Sequence, residues 1–350
     1  MKIRVAIVGI SGYSGRELAK LILRHPSMDC AAVVASEGKA GQRLADIHPQ
    51  LRGLTELTCQ PADMTRLADI GCQTVFLCTP NEISHSLVPE ILDRKMKAID
   101  LSGSFRLRDA SLYGSWYGFA HRAPALLEEA AYGLPEWHAD DISGARLVAN
   151  PGCYPTSALL ALLPLVRAGV LAQGSEIICD SKSGVTGAGR SPRADLLFGE
   201  VAENFRAYNP IMHRHAPEIC QELGWDFERF SFVPHLLPVK RGILSTIYVG
   251  FEHAGTPDDL ENLYRDSYHG RPFIRVLGSS GLPELSAVNY SNFCDIGWRL
   301  TAGGRKAVIF SAIDNLVKGA AGQAVQNFNL MHGFAETLGL QETRNAQSRG

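Results

Sequence analysis

At 350 residues the chain is too long for one ordinary hydrophobic core, so two domains are expected. Its 45% hydrophobic and 20% charged content is that of a soluble globular protein, and a net charge of −2 leaves no electrostatic case for nucleic acid or an anionic membrane surface. No apolar run approaches the ~20 residues of a membrane span, and the N-terminus enters a strand pattern with no signal-peptide core before it, so a cytoplasmic protein is expected.

The first forty residues read as a strand, a turn, a helix and a second strand. Residues 3–8 are a short apolar strand. A glycine-rich turn follows, then a helix over 14–24 with Leu18, Leu21 and Ile22 on one face. His25 and Pro26 end that helix, and residues 30–35 supply the second strand. The glycines stand at Gly9, Gly12 and Gly15, with Ser11, Tyr13 and Ser14 between them. Between a strand and a helix, such a turn lets the backbone approach a pyrophosphate at the helix N-terminus, so dinucleotide binding is expected. At the end of the second strand stand Ser36, Glu37, Gly38 and Lys39, with Arg43 soon after. A serine with nearby cations suits a ribose 2′-phosphate better than the acid usual in NAD-binding chains, which points to NADP(H). The alternative is that Lys39 and Arg43 are solvated loop charges.

Residues 74–78 and 97–101 read as further buried strands. The first ends in Thr79-Pro80, and the second runs into Ser102-Gly103-Ser104-Phe105-Arg106. Strand ends of this kind carry the ligand edge of an open α/β sheet. Thr79 and Pro80 are therefore expected at the dinucleotide, and Ser102 and Arg106 at an anionic substrate group; the alternative is a surface loop with solvent-paired arginines.

Residues 148–157 carry the strongest chemical signal. Cys153 stands between Asn150-Pro151-Gly152 and an apolar helical pattern over 158–166. A thiol at a helix N-terminus meets unpaired N–H groups and the positive end of the helix dipole, and both favour the thiolate. Pro155 fits an early helical position, where its missing N–H needs no partner. The plain alternative is a small buried thiol at a turn. The other seven of the eight cysteines form no CxxC pair or compact metal-ligand spacing, so neither disulfides nor a metal site is expected.

Residues 176–181 read as a strand followed by a small, cationic loop over 182–190, with Ser183, Gly184 and Arg190 available to a carboxylate or phosphate; the alternative is a plain linker. His213-Arg214-His215 precedes a helix start at Ala216-Pro217-Glu218. A thiolate acting on a carbonyl needs a proton carrier near neutral pKa, and alternation would aim the two histidines to one side and Arg214 to the other. His235 reads as a strand-end histidine satisfied within the fold. The remainder is strand-rich over 242–251, 273–277, 292–301 and 306–311, with a helix over 256–268. A last helix is expected over 313–330, whose small patch 319–322 permits close packing. Residues 341–350 are expected to fray.

These residues together resemble the N-acetyl-γ-glutamyl-phosphate reductases of the aspartate-semialdehyde dehydrogenase superfamily, over nearly the whole chain. The segments that carry the likeness are 9–15, 150–156, 183–190, 213–218, 241–244 and 313–319, and the most specific is Asn150-Pro151-Gly152-Cys153-Tyr154-Pro155-Thr156. The chain departs at Ser104, where an acidic residue is expected. The resemblance implies an α/β fold. A Rossmann-type NADP-binding domain (1–150, completed by a C-terminal helix over 313–331) joins an α+β catalytic and dimerisation domain with a mixed sheet (151–312). It implies Cys153 as nucleophile, His213 as acid/base and NADPH as cofactor. Gly184 and Asn315 are counted among the dinucleotide contacts, and Asn150, Ser183, Arg190 and His215 among the substrate contacts. A homodimer or homotetramer in the cytoplasm is expected, and arginine biosynthesis as the setting. Two rivals stay open. One is the same chemistry on aspartyl phosphate or on an N-acylated or carrier-linked aminoadipyl phosphate. The other is a non-catalytic NADP(H)-binding sensor.

Overall fold

The computed structural model describes residues 2–340; the tail 341–350 lies outside the described residues. The chain divides into two compact units, one of residues 1–108, 121–150 and the stretch from 321, the other of 109–120 and 151–320.

The first unit is built on a six-stranded, wholly parallel sheet: β1 (Ile3–Val8), β2 (Met28–Val34), β3 (Thr74–Leu77), β4 (Lys97–Asp100), β5 (Ala131–Tyr132) and β6 (Leu147–Ala149), in the order β2-β1-β3-β4-β6-β5. Parallel strands covered on both faces need continuous apolar runs, and Val5, Ala6, Ile7, Val75, Phe76 and Leu77 are all fully buried. Neighbours of β1 lie on both sides, so the strand order reverses there, and its C-terminal end opens at a topological switch point. The helix Tyr13–Arg24 follows at that point and buries Leu18, Ala19 and Ile22. The C-terminal helix Gly322–Met331 packs in the same unit, its Phe328 ring 5.9 Å from that of Phe76, and Asn329 Oδ1 lies 3.0 Å from His25 Nε2.

The second unit carries a seven-stranded mixed sheet: β7 (Ile177–Gly184), β8 (Arg206–Ala207), β9 (Phe230–Leu237), β10 (Ile243–Gly250), β11 (Ile274–Gly278), β12 (Cys294–Leu300) and β13 (Lys306–Ile313), in the order β11-β12-β13-β10-β7-β9-β8. Along β9 buried and half-buried residues alternate, as a sheet covered on one face requires. The helix Cys153–Arg167 belongs to this unit and buries twelve of its residues. Ser157, one turn beyond Cys153, is fully buried with its hydroxyl 2.9 Å from Ser245 Oγ and 3.1 Å from Ser311 Oγ, so β10 and β13 hold the helix at one height.

Two expectations are corrected. The expected helix over 313–330 is broken, because β13 runs through Ile313 and Asp314 then turns the chain by accepting the N–H groups of Leu316 at 2.7 Å and Val317 at 3.0 Å. A π-turn, Val317–Ala321, intervenes before the helix begins at Gly322. The loop expected to begin at Lys182 begins only after Gly184, since Lys182 and Ser183 pair with both β10 and β9. All eight cysteines are free thiols.

Candidate active site

In the first unit the turn after β1 has little room to vary. Gly9 holds a φ of +86°, and a Cβ on it would lie 2.4 Å from the Cys78 carbonyl oxygen. A Cβ on Gly15 would lie 2.7 Å from Gly9 O and 2.8 Å from Ile10 Cα, whereas at Gly12 the nearest atom is 3.8 Å away. Two glycines are thus fixed by packing and the third borders open space. Gly12 is the N-cap of the Tyr13–Arg24 helix and offers no side-chain cap. The N–H groups of a helix's first turn are suited in general to a phosphate, and Ser11, Tyr13 and Ser14 are half-buried at this one. Ser36 is exposed at the head of the 3-10 turn Glu37–Lys39, and Arg43 is paired with Glu56. Thr79 shares a hydrogen bond of 2.7 Å with Ser84, and Pro80 is the exposed N-cap of the helix Asn81–Asp93.

The 102–106 loop is tied inward. Ser102 donates through N–H and Oγ to the two Asp100 oxygens at 2.9 and 2.8 Å. Burial raises the Asp100 carboxyl, against the pull of those bonds. Arg106 is buried and donates Nε to Asn150 O at 2.8 Å and Nη2 to Leu101 O at 2.9 Å, and Asn150 Oδ1 accepts Asn327 Nδ2 at 3.0 Å. Ser104, where an acid was expected, donates to Asn81 O at 2.6 Å.

In the second unit Cys153 is the first residue of its helix, with Gly152 as N-cap. The turn is fixed from three sides. Glu218, fully buried, accepts the Gly152 N–H at 2.8 Å. The Gly152 carbonyl accepts the Thr156 N–H at 2.9 Å and hydroxyl at 3.0 Å. The 319–322 patch explains itself here, because a Cβ on Gly319 would lie 2.7 Å from Cys153 Cβ. A Cβ on Gly152 would lie 2.5 Å from His215 Nε2, so that ring rests against the residue preceding the nucleophile.

Cys153 lines a cavity of about 500 Å³ together with Tyr154, Ser183, Gly184, Tyr208, His213 and His215. The two imidazoles are 4.8 Å apart, and the 213–215 segment is a turn, so exposed Arg214 borders the same cavity instead of pointing away. His213 Nδ1 accepts the His215 N–H at 3.2 Å. Burial, and then the Arg214 charge, lower the His213 pKa to about 4, so this ring is neutral at pH 7 with its proton on Nε2. Tyr208 donates to the Tyr154 hydroxyl at 3.0 Å, and burial pushes Tyr208 up to about 12. His235 Nδ1 stands 2.9 Å from Asp180.

Arg190 is exposed and lies apart from the cavity, whereas Arg193 borders it, and other anticipated residues have partners within the second unit. Asn315 accepts the Gly242 N–H at 2.9 Å and donates to Thr186 at 3.1 Å, and Gly184 has the Arg241 backbone where a Cβ would be. Ser183 donates to Gly184 O at 3.1 Å. Sequence reasoning missed Glu218, Tyr208, Arg193, Asp195 and Arg206. Of these only Glu218 gave a signal, as an acid one helical turn beyond His215.

Comparison with known proteins places this geometry. Residues 4–145 match the semialdehyde dehydrogenase NAD binding domain, and residues 153–315 the semialdehyde dehydrogenase dimerisation domain. An N-acetyl-gamma-glutamyl-phosphate reductase of Symbiobacterium thermophilum is 47% identical over 97% of this chain and 98% of its own, and one of Halorhodospira halophila is 46% identical over the same shares. Among solved structures, an aspartate semialdehyde dehydrogenase II of Vibrio cholerae covers 95% of this chain and 99% of its own with a TM-score of 0.72. One of Candida albicans with NADP covers 97% and 100% with a TM-score of 0.69. At 17% and 14% identity these two show the fold alone.

Proposed function

The chain belongs to the N-acetyl-γ-glutamyl-phosphate reductases, and from that premise we propose that it reduces N-acetyl-L-glutamyl 5-phosphate to N-acetyl-L-glutamate 5-semialdehyde, releasing phosphate, with NADPH as reductant. The observation that carries the reading is Cys153 at a helix N-terminus, lining one cavity with His213 and His215. The Cys153 thiolate attacks the acyl carbon, the bond to the phosphate oxygen breaks, and a thioester remains. Phosphate is a good leaving group, so this step needs no metal. N–H groups of the helix's first turn are suited to the oxyanion. The chemistry that the bound dinucleotide supplies is a hydride for the thioester carbonyl. Hydride addition would leave an oxyanion on the Cys153 adduct; the acid/base imidazole gives it a proton and takes the same proton back as the C–S bond breaks, releasing the aldehyde and restoring the thiolate.

That proton falls to the histidine pair. The resemblance implies His213, but a ring with its pKa near 4 and Nδ1 engaged is a weak carrier at pH 7. The position of His215 Nε2 against Gly152 favours His215 as the acid/base, with His213 orienting it. We assign NADP(H) to the turn 9–15, with Ser36, Lys39 and Arg43 towards the 2′-phosphate and Thr79 and Pro80 alongside; the fixed Gly9 and Gly15 fit that role. In this reading residues 1–108 and 121–150 with the helix Gly322–Met331 form the dinucleotide domain, short of the expected 1–150 because 109–120 cluster with the second unit. Residues 151–320 with 109–120 form the catalytic and dimerisation domain of a homodimer or homotetramer, for which light scattering of the purified protein is the check. Among the described residues no helix is long and apolar enough to cross a membrane.

The test is a coupled assay comparing N-acetylglutamyl phosphate with aspartyl and aminoadipyl analogues. A preference of 100-fold or more for the first is expected. A preference for another acyl phosphate would keep the chemistry and overturn the substrate, and no turnover at all would favour a dinucleotide sensor.

A further inference from the structure

Besides the histidines, the cavity is bordered by Arg193, Asp195 and Arg206, which form one cluster. Arg193 holds Asp195 as a fork, Nε to Oδ1 at 3.0 Å and Nη2 to Oδ2 at 2.7 Å. Arg206 reaches the same residue through Nη2 alone, to Oδ2 at 2.9 Å and to the backbone oxygen at 3.0 Å. Its Nε and Nη1 make no hydrogen bond among the described residues, and the triad keeps a formal charge of +1. Two cations on one acid, each about half exposed, gain little by themselves. The arrangement aligns a second guanidinium and leaves it short of anions.

The mount is firm on its cavity side. Arg206 pairs in register with Leu236, which also borders the cavity, and Tyr208, two residues on, is anchored through its hydroxyl to Tyr154. The substrate in the proposed reaction carries two anionic groups. The phosphate is bonded to the carbon that Cys153 attacks, so it lies at the nucleophile and departs with the first step. The α-carboxylate stays through every step and requires a cation of its own. Arg214, between the two histidines, belongs to the nucleophile's surroundings. Arg206 has the spare planar donors that suit a carboxylate.

We propose that Arg206, aligned by Asp195 and Arg193, reads the substrate's α-carboxylate and so sets specificity among acyl phosphates; this rests on the functional reading above. The reverse reaction separates the two anions, because phosphate is then a substrate in its own right. R206Q is assayed with NADP+, phosphate and either N-acetylglutamate semialdehyde or 4-acetamidobutanal, which lacks the carboxylate. The KM for the semialdehyde should rise about 10- to 100-fold, as expected for one charge-assisted contact. The KM for phosphate and for 4-acetamidobutanal should stay within twofold of wild type. R193Q, which loosens the same cluster from its other side, should show the same pattern at about threefold and guards against a folding defect in R206Q. A rise in phosphate KM would assign the cluster to the leaving group and overturn the proposal. Equal losses on both aldehydes, or none on either, would overturn it too. Wild-type inactivity on both aldehydes would bring down the functional reading itself.

Discussion

A thiol becomes a nucleophile through its surroundings, and at Cys153 these are the end of a helix and a fixed turn. Cys153→Ser keeps the packing of that turn but replaces the thiolate with a hydroxyl that has no comparable anionic fraction. It should retain NADPH binding, measured by fluorescence titration, and lose at least 99% of reductase activity; activity of more than a few percent would remove Cys153 from the nucleophile role. The histidines divide by their contacts. His215→Asn should lower kcat by ~10²-fold, the usual contribution of a positioned proton carrier. His213→Ala, which loses the acceptor holding the His215 N–H, should lower it less and shift the acidic limb of the kcat profile. A larger effect at His213 would return the acid/base role to that residue. Cofactor choice also falls to single side chains. Lys39 is half-buried and carries no ion pair among the described residues, whereas Arg43 is already paired with Glu56. Lys39→Ala should therefore raise the KM for NADPH more than Arg43→Ala does, with the KM for NADH little changed. Equal effects on both cofactors would show that neither cation meets the 2′-phosphate.

At the scale of elements, glycines mark where backbones must touch. Gly152→Ala puts a methyl group 2.5 Å from the His215 ring, so either the ring or the nucleophile turn must move. Tenfold or greater loss of kcat with unchanged NADPH affinity is expected, and near-normal turnover would show that this contact does not position the chemistry. The glycine-rich turn and the Cys153 helix start were legible in the sequence because each requires particular residues at particular places: Gly9 for its positive φ, Gly15 for backbone clearance, Pro155 for the first helical turn. The break after Ile313 was not legible, since a buried strand and a buried helix both read as apolar runs. What ends β13 is the Asp314 side chain bonding two residues ahead, a local contact that hydrophobic spacing does not record. The Arg193–Asp195–Arg206 cluster escaped for a related reason: Arg206 is eleven residues from Asp195, and only the return of the chain as β8 brings them together.

Over the whole molecule, burial has removed much of the basicity of several histidines. The pKa values of His121, His213 and His332 are lowered to about 4, in each case chiefly by desolvation, and those of His25 and His85 are lowered as well. An unfolded chain takes up these protons near the ordinary value of about 6.5. As pH falls, the unfolded state binds protons first, so stability that is complete above pH 6.5 is lost progressively down to about pH 4. Asp100 works in the opposite sense, because its raised carboxyl binds a proton more readily in the folded chain, but it is one group against several imidazoles. The urea midpoint should therefore fall steadily from pH 7 to 4.5, before most carboxylates titrate. His332 is the residue on which to test the cause, since it lies in the first unit with Nε2 2.8 Å from Thr74 Oγ1 and takes no part in the thiol cavity. His332→Gln keeps a polar group beside Thr74 and cannot take up a proton, so it should flatten the pH dependence whatever it does to the midpoint at pH 7.5. A wild-type midpoint that is level across this window, or an unchanged slope in the variant, would mean that acid sensitivity is set by the carboxylates and not by these buried rings.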